Sequence, residues 1–241
     1  MSESVGPESA GSVSVVMAAY NEADYLEHAV RAALDGADVT EVVVVENGST
    51  DGTPDVARGL ERELSGVRTL SLPNADYGVA LRRGTLMATG DVVVIFDVDY
   101  YDLSFLKTAV ARLHDPDRPA IVIGSKRAPG ARDERPWPRR FITTAFSMVL
   151  RRGFGLTVSD THGMKAMQRE LVLPIVEQCR FGTDLFDTEL VLRAEASGLG
   201  IVEIPVTVVE QRPSRTSIAR RAVRSISGLL RLRIALWRHR D

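Results

Sequence analysis

Several protein classes are excluded by what this sequence lacks. It has one cysteine, Cys179, in 241 residues. That rules out an internal disulfide and fits a reducing compartment, with Cys179 read as a core residue. No apolar run approaches the roughly 18 to 20 residues that span a bilayer. Met1 to Ser12 has Ser, Gly and Glu where a secretory signal would have basic and apolar regions, so 1–12 is expected to be a disordered lead-in. The first predicted strand is followed by no G-x-G-x-x-G, and G-x-x-x-x-G-K-[ST] is missing too, so neither a dinucleotide fingerprint nor a P-loop is present.

The composition is that of an ordinary globular chain, 44% hydrophobic and 26% charged, long enough for one sizeable α/β domain. The net charge of -2 conceals an asymmetry. Arg212 to Asp241 holds nine arginines and one acid, a local +8, which leaves -10 on the other 211 residues by subtraction. Over this tail, at about 100° per residue, Ile218, Ala222, Ile226, Leu229, Leu230, Ile234, Leu236 and Trp237 fall on one arc. Arg220, Arg221, Arg224, Arg231 and Arg238 fall on the other. The spacing predicts a basic amphipathic helix over 212–241 that suits an anionic membrane interface, or that packs on the domain or a second subunit. Nucleic acid is not an expected partner.

The most informative stretch is Asp91 to Asp99, an apolar run ending in Asp97-Val98-Asp99. Its valines, Ile95 and Phe96 predict a strand buried on both faces in a parallel sheet. Alternation along a strand places Asp97 and Asp99 on the same side at its carboxyl end, where open α/β sheets bind ligands. Carboxylates crowded there favour a hard divalent cation; the competing reading is that Asp99 merely starts a turn.

Before this stretch come strands at Val13 to Ala18, Glu41 to Val45 and Val67 to Leu72. They alternate with a helix that Asp24 is expected to cap and with helices from Thr53 and from Tyr77 to Ala88. The alternation predicts a parallel sheet covered on both faces. Polar residues gather at three strand ends: Tyr20 and Glu22, Glu46 and Asn47, Asp97 and Asp99. Asp51 is expected to cap its own loop and helix.

Tyr20-Asn21-Glu22, the run from Glu46 to Thr53, the Gly-containing helix and Asp97-Val98-Asp99 together resemble the family 2 glycosyltransferases of the GT-A fold, from about Val13 to Val209. That fold is a Rossmann-like, mostly parallel sheet with helices on both faces. The resemblance implies a GT-A domain over 13–211, with a donor half at 13–115 and an acceptor half at 116–211. It implies a nucleotide-sugar donor of GDP-mannose or UDP-glucose type, held by Ala19, Tyr20, Glu22, Glu46, Gly78, Arg82, Asp97 and Val98. It also implies Mg²⁺ or Mn²⁺ on Asp99 and Asp97. Ala18 or Ala19 stands where the family has proline, and Glu46 and Asn47 where it has paired aspartates, so uracil and guanine both stay open.

After a helix at Asp102 to His114, the acceptor half opens with a strand at Ala120 to Gly124, which precedes Ala128 to Arg140. That proline- and arginine-rich stretch is expected to be a mobile loop over the site. Lys126, Arg127 and Arg132 are candidates for acceptor phosphate, against the alternative of a solvated basic loop. Phe141 to Leu150 predicts a helix that is buried or lies at a membrane surface. Ser159 to Lys165, Phe186 to Leu190 and Ile201 to Val206 resemble segments of dolichyl-phosphate mannose synthases and related polyprenyl-phosphate glycosyltransferases.

Asp160, Asp187 and Glu189 are then candidates for a general base if the acceptor is a hydroxyl; His162 is not. The resulting expectation is an inverting, metal-dependent transfer of sugar to polyprenyl phosphate. It would be carried out by a cytoplasmic protein, peripheral at the inner face of the cell membrane, with a homodimer as a further expectation. A soluble glycosyltransferase acting on a polysaccharide or small-molecule hydroxyl is the alternative. A sugar nucleotidyltransferase lacks its Gly-rich basic loop here, and a non-catalytic membrane-binding module leaves the strand-end carboxylates without purpose.

Overall fold

The computed structural model describes residues 11–134, 137–208 and 228. The C-terminal helix expected over 212–241 lies outside the described residues, Gly228 excepted, as does most of the lead-in.

The donor half alternates β1 (Val13–Ala19), α1 (Leu26–Leu34), β2 (Val39–Asn47), α2 (Thr53–Glu63), β3 (Val67–Leu72), α3 (Tyr77–Met87), β4 (Val92–Asp97) and α4 (Leu103–Leu113). The acceptor half contains β5 (Ile121–Ser125), β6 (Arg132–Asp133), α5 (Trp137–Phe154), β7 (Lys165–Gln168), α6 (Arg169–Gln178), a 3-10 turn (Thr183–Leu185), α7 (Phe186–Ala196), β8 (Ile201–Pro205) and β9 (Thr207–Val208). Seven strands form one sheet in the order β3-β2-β1-β4-β7-β5-β8.

Strand alternation divides the core in two. Val16, Val43, Val45, Val93 and Ile95 face α3, α6 and α7. Val15, Met17, Val42, Val44, Val94 and Phe96 face α1, α2 and α4. The all-valine strands are therefore buried on both sides, as a parallel sheet requires. Strand order reverses between β1 and β4, with Ala18 opposite Asp97 in register. That switch point opens the crevice where such sheets take ligands.

Three local expectations are corrected. β4 stops at Asp97, and Asp97 exchanges backbone hydrogen bonds with Tyr100 across a tight turn, at 3.2 and 3.3 Å. The turn, and not strand alternation, therefore sets where Asp99 lies. Ala128 to Arg140 is not one irregular loop: Arg132–Asp133 pairs with Thr207–Val208 as β6 and β9, and α5 begins at Trp137. Asp24 does not cap α1, whose N-cap position is Tyr25 with no side-chain cap.

β7 runs antiparallel to both β4 and β5. An antiparallel strand starts where its parallel neighbours end, so Lys165 enters the sheet at the ligand-binding edge.

Candidate active site

Three donor-half loops interlock at the carboxyl ends of β1, β2 and β3. Asn21 accepts from the Thr50 amide at 2.8 Å, and the Glu22 amide donates to the Thr53 hydroxyl at 2.8 Å. Asp51 accepts from the Thr53 amide and hydroxyl at 2.9 and 2.5 Å and from the Ala23 amide at 3.3 Å. Desolvation pushes its carboxyl up, but these bonds together hold it below the ordinary range. This is the capping role expected of Asp51. Gly48 turns with φ +68°, and a Cβ there would lie 2.8 Å from the Asn74 backbone, so glycine permits both the turn and the approach. Asn47 accepts from the Asp76 amide at 2.8 Å, and Asp76 in turn caps α3 through Val79.

Asp97 sits at the centre. Tyr77, the first residue of α3, donates its hydroxyl to Asp97 Oδ1 at 2.7 Å. Burial pushes the Asp97 carboxyl up to about 6; the Tyr77 bond pulls it down, Asp99 and Asp187 push it up, and Lys165 pulls it down. A carboxyl raised by desolvation and like charge is one that a cation would stabilise in its ionised form. The half-buried Asp99 carboxylate makes no hydrogen bond or ion pair with another described residue. Two oxygen donors with the rest of a coordination shell open fit Mg²⁺ or Mn²⁺, which take one or two carboxylates and complete the shell with water and substrate phosphate. Among the described residues no group of three or more His, Cys, Asp or Glu could hold a metal, so a second, all-protein metal site is not present there.

The side expected to take the acceptor is built from ion pairs. Lys165 is fully buried; its Nζ lies 2.5 Å from Asp187 Oδ1 and donates to the Gly163 carbonyl at 3.0 Å. Lys126 lies 3.0 Å from Asp160 Oδ2, an ion pair not aligned as a hydrogen bond, and donates to the His162 carbonyl at 2.6 Å. Asp160 Oδ1 accepts from the His162 amide at 3.0 Å. Glu189 is completely buried and accepts from the Arg180 and Phe181 amides and from Arg193 Nε, each at 2.8 Å. Beyond Ser125 and Ser159, whose hydroxyls meet at 3.1 Å, opens a cavity of about 670 Å³. Arg127, Arg151, Arg152, Thr144, Ser147, Thr157 and Ser159 supply its polar lining, Met148 and Leu156 its apolar part. Arg127 donates to the Thr144 hydroxyl at 2.7 Å, while its buried Nε has no partner among the described residues.

Of the donor residues read from the sequence, Ala19, Tyr20, Glu22, Glu46, Asp97 and Val98 lie at the ends of β1, β2 and β4. Tyr20 is exposed, whereas Ala19, Val98 and Glu46 are buried, and Glu46 accepts from the Ser49 amide at 2.6 Å. Gly78 packs against the turn before α7: a Cβ would lie 2.6 Å from the Thr183 carbonyl oxygen. Arg82 is directed elsewhere, donating to the Val176 and Glu177 carbonyls at 3.0 and 2.9 Å, where it closes the end of α6. Arg132 lies exposed on β6, in the two-stranded sheet with β9, whereas Lys126 and Arg127 lie in the turn that follows β5. Sequence reasoning missed Tyr77, Thr144, Arg151, Arg152 and Lys165. Lys165 lay in the polar Ser159 to Lys165 segment without an assigned partner, and Tyr77 had no signal, because its partner lies 20 residues away.

Comparison with known proteins follows this geometry. The family model described as Glycosyl transferase family 2 matches residues 14–173. Glycosyltransferase AglD of Haloferax volcanii is 31% identical over 228 residues, 91% of this chain, but the chain spans only 36% of that relative. The undecaprenyl-phosphate mannosyltransferase of Micrococcus luteus is 32% identical over 212 residues, 83% of this chain and 84% of that one. Among solved structures, mannosyltransferase PcManGT from Pyrobaculum calidifontis, in complex with GDP-Man and Mn²⁺, aligns with TM-score 0.60 at 27% identity, over 88% of this chain and 60% of that one. The matched span runs from β1 into α6 and takes in the interlocked loops and the carboxylate turn; the chain belongs to glycosyl transferase family 2 and has the GT-A fold that its motifs imply.

Proposed function

We propose that the protein transfers a sugar from a nucleotide diphosphate to a polyprenyl phosphate, with inversion, at a membrane surface. One observation carries the choice of acceptor: each carboxylate that could serve as general base is already committed. Asp187 is paired with Lys165, Asp160 with Lys126, and Glu189 with Arg193 and two backbone amides. A hydroxyl acceptor needs a base. A phosphate monoester does not, since its second pKa is about 6 and it is largely ionised at neutral pH.

Tyr77 fixes Asp97, and Asp97 with Asp99 would hold the metal against the donor diphosphate. The metal, when bound, stabilises charge developing on the departing diphosphate. The donor nucleoside sits over Tyr20, Glu22 and Glu46. The acceptor's phosphate oxygen attacks the anomeric carbon from the face opposite the diphosphate. The new carbon–oxygen bond forms as the bond to diphosphate breaks, and no proton moves. Arg127, with its unpartnered Nε and its neighbours Arg151 and Arg152, supports an anionic group on the acceptor side.

The membrane reading draws on α5. Trp137, Phe141 and Met148 are 76%, 66% and 48% exposed and align on one helical face with Arg152, while Arg140 and Arg151 flank them. No described helix is long and apolar enough to cross a membrane. The undecaprenyl-phosphate mannosyltransferase named above is consistent with a lipid phosphate acceptor.

The test is to incubate the protein with UDP- and GDP-sugars, divalent metal and polyprenyl phosphate, and to look for glycosyl lipid by mass spectrometry. The expected result is a lipid-linked sugar that Asp99→Asn abolishes. Nucleotide release with no lipid product would send the search to soluble acceptors.

A further inference from the structure

The acceptor side carries two aspartates, and each is matched by its own buried or nearly buried lysine. The Lys165–Asp187 pair is the more telling. A buried ion pair is weak evidence of stabilisation, because apolar side chains of similar volume serve about as well. Lys165 stands on β7 opposite Ile95 and Ile123, where a branched apolar residue would pack without desolvating an ammonium. Its position then asks for another reason.

The pair lies between the two halves of the site. On one side is Asp97, which feels the charges of both partners. On the other, Thr188, next to Asp187, has its hydroxyl 3.2 Å from that of Thr161. Thr161 follows Asp160 and Ser159, and Ser159 lines the arginine-lined cavity. Asp187 is itself buried, so an acceptor between that cavity and the sugar would meet its charge as a field and not as a contact.

We propose that Lys165 is a specificity-determining residue: by cancelling the charge of Asp187 it admits an anionic acceptor that a bare carboxylate would repel. Lys165 touches neither substrate; it acts through Asp187. The inference rests on the phosphate-acceptor reading and deepens it. Lys126 does the same for Asp160, so the net field on this side is set by Arg127, Arg151 and Arg152.

The test measures steady-state transfer to polyprenyl phosphate, donor hydrolysis without acceptor, and metal-dependent nucleotide binding. The proteins compared are wild type, Lys165→Met, Lys165→Arg and the charge-balanced Lys165→Met/Asp187→Asn. Lys165→Met is expected to raise KM for polyprenyl phosphate about tenfold or more, with the gap narrowing as salt screens the repulsion. With donor and metal saturating, donor hydrolysis should stay within about threefold of wild type, since water carries no charge for Asp187 to repel; nucleotide binding is followed separately because Asp97 feels both partners of the pair. Lys165→Arg and the double variant should recover most of the acceptor KM, the double variant also covering the case in which the single one folds poorly. An unchanged acceptor KM in Lys165→Met overturns the proposal. So does a parallel loss of hydrolysis and nucleotide binding that the double variant does not repair, which would mark Lys165 as structural. If the wild-type protein itself makes no glycosyl lipid, the phosphate-acceptor reading falls and this inference with it.

Discussion

Asp97 holds its position through one hydroxyl. Removing that hydroxyl in Tyr77→Phe deletes a hydrogen bond to a charged group, worth about 1.5 to 3 kcal/mol, and metal-dependent nucleotide affinity should fall about tenfold or more by calorimetry. Asp97 also makes a prediction about pH. Its carboxyl in the folded protein is raised to about 6 from 3.8. Its contribution to stability is therefore fully present below about pH 4 and is lost as pH rises through about 6. A divalent cation competes with that proton. Mn²⁺ with nucleotide should raise the melting temperature at pH 7.5 and do little at pH 5; an equal rise at both would show that Asp97 is not a ligand.

At the scale of elements, α3 is the hinge between halves, meeting the carboxylate turn through Tyr77 and the turn before α7 through Gly78 and Asp76. Gly78→Ala would drive a Cβ to 2.6 Å from the Thr183 carbonyl. Overpacking of this kind costs about 1 to 3 kcal/mol, so a melting temperature lower by several degrees is expected. Arg82→Met should cost stability through the open end of α6 and leave nucleotide affinity unchanged, and a large loss of affinity would restore Arg82 to the donor site. The donor half was legible because local signals govern it: valine strands, Thr53-Pro54 at a helix start, strand ends rich in polar residues. β7 and α6 were not, because a four-residue strand flanked by polar sequence carries too little periodicity, and its antiparallel direction comes from its neighbours. Asp160, Asp187 and Glu189 were legible as carboxylates, but their partners were not, since Lys165 and Asp187 meet across 22 residues and two elements.

For the whole molecule, the proposed function assigns the crevice at the switch point to the donor, the ion-paired side to the acceptor and the exposed apolar face of α5 to a lipid surface. Trp137→Ala/Phe141→Ala should weaken cosedimentation with anionic vesicles several-fold while leaving nucleotide binding intact; undiminished cosedimentation would move the membrane contact elsewhere. The central claim is that no base is available, so the acceptor arrives already ionised. It is tested most directly by offering the protein, with its donor and metal, a polyprenyl phosphate and the polyprenol of the same chain length. Transfer to the phosphate and none to the alcohol is the result expected. Transfer to the alcohol at a comparable rate, lost in Asp160→Asn or Asp187→Asn, would show that one of these carboxylates leaves its lysine to act as a base, and would contradict it.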